Sequence, residues 1–205
     1  MEIKYWVYET KVYGEKDEYV QAKLVTPELH ALSENDCGYG FDSPTQDEPY
    51  GVDLALTYQI RAAFPHVDNY FESFSFKLYS TRLAELMLSF GVKSETFPVT
   101  MVDEHGKVQP QLKYVIFHSL EGTLDAMDEV KSEWRGNDDI GIPRLILDYS
   151  KFEHRPIFTC DKVFVELMRD DLKQEIQRRG ITGFSFLAPE RYRCGEQGFA
   201  PDFED

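Results

Sequence analysis

The stretch FSFKLYSTRLAELMLSFGVKSETFP, residues 74–98, decides the fold class, and VFVELMRDDLKQEIQRRGITGFSFL, residues 163–187, repeats its pattern. At an offset of 89, Phe74, Phe76 and Leu78 fall on Val163, Val165 and Leu167. Leu83 falls on Leu172, Met87 on Ile176, Gly91-Val92 on Gly180-Ile181 and Phe97 on Phe186. Apolar residues alternate first with a period of two and then with helical spacing, which predicts strand, helix, strand in each copy. Ser80 or Thr81 caps the first helix, which runs to about Phe90. Gly91 and Gly180 let the chain leave each helix in the left-handed conformation. Helices this short need a sheet to hold them, so the expected class is α+β, a mixed or antiparallel sheet with a few short helices. Not every pair agrees: Leu86 meets Glu175 and Phe90 meets Arg179.

Outward from the two copies, Ile3 to Tyr8, Glu95 to Val102, Leu112 to Ser119, Arg144 to Asp148 and Ile157 to Thr159 read as strands. Leu54 to Ile60 reads as a strand or a short buried helix, and DEHGKVQPQ, residues 103–111, as a turn. Residues 9–23 are polar and mixed. A short helix starts near Pro27, with Thr26 as its cap. Residues 33–53 hold three glycines, two prolines and six acids, which predicts a long surface loop. The organisation expected is one domain over residues 1–205, its N-terminal part, 1–53, acidic and loop-rich.

The chain has 37 acidic residues against 22 Lys and Arg, a formal charge of −15. Residues 1–53 alone carry −8. This balance argues against nucleic acid and against an anionic membrane, both of which attract Lys and Arg. It favours a basic protein partner. Cys37, Cys160 and Cys194 form no disulfide framework, and reduced thiols in a cytoplasm are expected. No secretory signal or membrane span is read.

Catalytic and metal patterns are weak. His30, His66, His105, His118 and His154 show no metal-ligand spacing, so no metal or other cofactor is expected. His154 and Cys160 are six residues apart without a nucleophile signature. Paired acids such as Asp103-Glu104 occur by chance in so acidic a chain, and Asp170-Asp171 suits a helix start. No phosphate-binding glycine loop or nucleophile elbow is present.

Leu147-Asp148, Ile157-Phe158, Val163 to Leu167, Leu172 to Arg179 and Gly180-Ile181-Thr182-Gly183-Phe184 occur in the order of a known pattern. Together with Phe97-Pro98-Val99 and Asp128 to Ser132, they make residues 70–187 resemble a family of bacterial polymorphic-toxin immunity proteins. Met168-Arg169 departs from the Ser expected before the second helix. The resemblance implies a cytoplasmic protein that inhibits a cognate toxin by binding and occlusion, without catalysis. It transfers no site residues. The expected contacts come from the charge and aromatic pattern instead: Asp36, Tyr39, Phe41, Asp42, Asp47, Glu48, Tyr50 and Asp53 in the loop, with Trp134, Asp138 and Asp139 beyond it. Two other readings stand beside this one. One is an enzyme with a carboxylate site in residues 42–53; the other is a structural or phage-associated interaction module.

Overall fold

A computed structural model describes residues 3–11, 21–26, 49, 55–70, 77–132 and 144–192. The strands are β1 (Tyr5–Thr10), β2 (Ala22–Leu24), β3 (Leu56–Ile60), β4 (Asn69–Tyr70), β5 (Leu78–Ser80), β6 (Ser94–Val102), β7 (Tyr114–Ser119), β8 (Thr123–Leu124), β9 (Ile157–Cys160), β10 (Val165–Arg169) and β11 (Phe184–Leu187). The helices are α1 (Thr81–Ser89) and α2 (Asp170–Arg178). Two mixed sheets result, in the orders β11-β1-β10-β9-β8 and β2-β3-β6-β7-β5-β4. The class is α+β.

The two repeated segments are strand–helix–strand units of the same topology. In the first, β5 and β6 both pair antiparallel with β7, which lies between them. In the second, β10 and β11 both pair antiparallel with β1. Each unit is therefore a split β-α-β motif with one foreign strand inserted. The inserted strand follows the first unit directly, whereas the second unit takes its strand from the other end of the chain.

The helix ends match bond for bond. The Val92 N–H donates to the Met87 carbonyl at 3.2 Å, and Ile181 to Ile176 at 3.0 Å. Gly91 donates to Leu88, and Gly180 to Gln177. Gly91 and Gly180 take φ of +82° and +59°. This is the Schellman arrangement, which satisfies the last carbonyls of a helix. The starts differ. Ser80 Oγ accepts from the Leu83 N–H, whereas Arg169 offers no capping acceptor and α2 begins on Asp170 and Asp171. Their negative charge complements the exposed N–H groups there.

Strand alternation sorts the side chains into three cores. Trp6, Tyr8, Tyr79, Phe117, Ile157, Met168, Phe184 and Phe186 face a core shared by both helices, where Leu83 and Leu172 are fully buried. Tyr5, Val7, Phe158, Cys160, Val165 and Leu167 point to the other face of the five-stranded sheet. Leu56, Tyr58, Leu78, Phe97, Met101 and Ile116 do so on the six-stranded sheet. The five-stranded sheet is covered on both faces, which explains why β1 is buried at Tyr5, Val7 and Tyr8 alike. The six-stranded sheet is open on one face at β2 and β6, where Lys23, Thr96, Pro98 and Thr100 are exposed.

Several sequence readings need correction. Arg144 to Asp148 is not a strand; it carries isolated bridges at Arg144 and Leu147, the second to Met127. The Ile146 carbonyl accepts from the Asp128 N–H and the Asp148 N–H donates to the Ala126 carbonyl, but the Ile146 N–H goes to Ser132 Oγ instead of a strand partner. Val163 and Phe164 belong to a turn, and β10 starts at Val165. Of the two readings of Leu54 to Ile60, the strand is the one observed, over Leu56–Ile60. The short strands β2, β4 and β8 had no reading. Residues 27–32, Phe74 and Phe76 lie outside the described residues.

Candidate functional site

All eleven residues expected to contact a partner, from Asp36 to Asp53 and at Trp134, Asp138 and Asp139, lie outside the described residues. The described residues hold three other groupings that carry polar chemistry or exposed aromatic surface.

The first joins the two units. Asp68, in the segment before β4, accepts from Ser80 Oγ at 2.6 Å and from Arg82 Nε and Nη2 at 2.6 and 2.5 Å. It also accepts from the Thr182 N–H and hydroxyl at 2.9 and 3.3 Å. Burial pushes its pKa up, but the Arg82 and Ser80 bonds, the Thr182 N–H and the Arg82 charge outweigh burial and hold it below 3.8. The Gly-Ile-Thr-Gly-Phe run thereby gains a physical meaning. Ile181 and Phe184 enter the shared core, and Thr182 binds Asp68. The Gly183 carbonyl accepts from the Lys11 N–H and from Asn69 Nδ2. Asn69 packs so closely that a Cβ on Gly183 would collide with its backbone.

The second lies at one end of the shared core. Lys77 Nζ pairs with Glu166 Oε1, lies 3.4 Å from the Tyr8 hydroxyl and sits 5.2 Å from the centroid of the Tyr8 ring. Burial, reinforced by the Glu166 charge, raises the Tyr8 and Tyr79 hydroxyl pKa values well above 10.0. These phenols stay protonated at neutral pH, and the Tyr8 hydroxyl accepts from Lys77 Nζ. Beside this group, Trp6 Nε1 donates to Asp170 at 2.7 Å, and the buried Lys173 ammonium lies 3.1 Å from the Trp6 ring centroid.

The third grouping is on the surface. The loop between β9 and β10 has four residues, Asp161 to Phe164, closed by the Phe164 N–H to the Cys160 carbonyl at 2.8 Å. Phe164 has φ of +50° and is 77% exposed. A left-handed conformation costs an L-residue about 1–2 kcal/mol. Lys162 pairs with Glu129, tying this loop to the Asp128–Ser132 turn, where Val130 is 95% exposed. Cys160, beneath the loop, is buried, and burial pushes its thiol up to about 11. Burial disfavours the thiolate that a nucleophile needs.

Sequence reading missed each of these groupings. Asp68 meets Thr182 across 114 residues, and no local pattern encodes such a contact. Phe164 had a signal, an aromatic in a short hairpin loop, but the alternation of Val163 and Val165 hid it. Among the described residues, no group of three His, Cys, Asp or Glu side chains is placed to hold a metal, and no helix is long and apolar enough to cross a membrane. No family model matches this chain, and no curated protein matches it in sequence.

Proposed function

We propose that this chain is an immunity protein that binds a cognate bacterial toxin in the cytoplasm and blocks it by occlusion, without catalysis. The observation that carries the proposal is the charge: 37 acids against 22 Lys and Arg, with −8 of the net −15 in residues 1–53. A field of that sign steers a basic protein into contact, and a toxin that acts on nucleic acid presents such a surface. The resemblance over residues 70–187 supports the same reading. In it, Asp36, Asp42, Asp47, Glu48 and Asp53 set the association rate, and Tyr39, Phe41, Tyr50 and Trp134, the last beside Asp138 and Asp139, hold the complex together.

The test begins with the adjacent upstream reading frame, which is expected to encode a large secreted protein with a toxin-like C-terminal domain, and uses that domain as the probe. Co-expression of the chain is expected to rescue growth, and the purified proteins are expected to form a stable complex. Neutralising the five loop acids lowers the on-rate, and the loss shrinks at high salt. Truncating Tyr39, Tyr50 or Trp134 raises the off-rate. Absence of both rescue and binding overturns the proposal.

A further inference from the structure

We infer that the β9–β10 loop, with Phe164 at its end and Val130 beside it, is a further contact surface for the protein partner, fitting an apolar pocket rimmed by Lys or Arg. The inference rests on the binding reading above and adds a surface remote in sequence from the acidic loop.

The argument starts from backbone conformation. Six described residues have positive φ, and five are glycines: Gly91, Gly106, Gly122, Gly180 and Gly183. Phe164 is the sixth. Glycine at this position closes the same loop through the same N–H without steric strain. The Phe164 ring is 77% exposed, so it returns little to the fold in exchange for that strain. A bulky side chain held in a costly conformation and presented to solvent has its use outside the fold. Aromatic residues are enriched at the centres of protein interfaces. Val130, 95% exposed, follows Glu129, whose ion pair with Lys162 holds the two loops together.

Charge selects the occupant. Lys131 is paired with Asp128, Lys151 with Asp125 and Lys162 with Glu129. Asp161, exposed in the same loop, adds a fourth carboxylate. Three lysines against four acids leave the rim slightly negative, on a chain of net −15. A second copy of the chain would bring the same rim and another −15 against it, which disfavours a self-pair. A basic partner gains from both.

The probe is the same upstream-encoded toxin domain, titrated against wild type, Phe164→Asn, Phe164→Leu and the double variant Phe164→Asn/Val130→Ser. Asn tolerates the left-handed region, so Phe164→Asn is expected to leave Tm unchanged or raise it by about 2 °C. The double variant is expected to bind about thirtyfold more weakly, chiefly through a faster off-rate. Phe164→Leu, which keeps apolar bulk, retains most of the affinity. If wild type and the double variant bind equally tightly, this surface is wrong and the binding reading survives. A wild type that does not bind the toxin overturns both. A fall in Tm of more than about 5 °C in Phe164→Asn assigns the ring to the fold and also overturns the inference.

Discussion

Lys77 and Glu166 form an ion pair between equivalent positions of the two units, for they stand 89 residues apart, the offset at which the segments match. The same offset relates Tyr79 to Met168, Leu83 to Leu172, Met87 to Ile176 and Val92 to Ile181, all in one core. The units thus meet through matching surfaces, as in an isologous interface, with opposite charges on the matched residues Lys77 and Glu166. Side-chain exposures of 26% and 35% leave the pair partly screened. Removing one partner is expected to cost about 1 kcal/mol. Lys77→Met and Glu166→Gln each lower Tm by about 2–4 °C, and the double variant costs less than the sum. A double-mutant cycle by urea unfolding reads the coupling directly. Additive losses would show that the pair does not link the units.

The shared core predicts equal sensitivity of the two helices. Leu83 and Leu172 are both fully buried in it. Leu83→Ala and Leu172→Ala should each cost about 2–5 kcal/mol through lost transfer energy and an unfilled cavity. Because both side chains belong to one cluster, the double variant should depart from additivity. Denaturant midpoints measured at unchanged m-value test this. A cost below about 1 kcal/mol at one site only would mean that the helices are held by separate cores.

Asp68 makes stability depend on acid in a defined direction. Its pKa is below 3.8 in the folded chain, so the unfolded state binds the proton more tightly. The contribution is complete above the unfolded pKa and is lost as pH falls through the folded one. Asp68→Asn keeps the shape but removes the charge that holds Arg82, which is 58% exposed. The expected cost at pH 7 is about 1–2 kcal/mol after allowing for solvent screening of the arginine. The gap between wild type and Asp68→Asn should close as pH falls from above the ordinary carboxylate range through the lowered folded pKa. Unfolding curves across that range decide the matter: a gap that is flat with pH would show that the carboxylate charge contributes nothing.

The sequence made the local parts legible and left the distant ones dark. Ser80 as cap, Gly91 and Gly180 as helix exits, and the burial of Leu83 and Leu172 all follow from spacings within about ten residues. The two-residue strands β4 and β8 are too short for any periodicity. Leu147 fits a strand pattern, yet the N–H of its neighbour Ile146 is taken by the Ser132 side chain. The insertion of β1 between β10 and β11 is a pairing across some 160 residues, and apolar alternation says where a strand lies but not which strand it meets. Phe164 was concealed by the alternation of its neighbours, because a four-residue loop can carry apolar residues and still turn.

The two glycines of the Gly180–Phe184 run answer different demands, and substitution separates them. Gly180 needs φ of +59°, but no atom lies within 4 Å of a Cβ built there. Gly183 needs φ of +93° and also faces the Asn69 backbone, which leaves no room for a Cβ. Gly180→Ala therefore pays only the conformational penalty, about 1 kcal/mol. Gly183→Ala adds a backbone collision where β4 meets the turn before β11. It threatens the bonds from Asn69 Nδ2 and the Lys11 N–H to the Gly183 carbonyl. The expected loss is about 3 kcal/mol or more. Thermal unfolding should place Gly183→Ala well below Gly180→Ala. Amide exchange in Gly183→Ala should rise first at Asn69 and Lys11. Equal Tm values for the two variants would show that Asn69 yields freely and that this contact does not lock the units together.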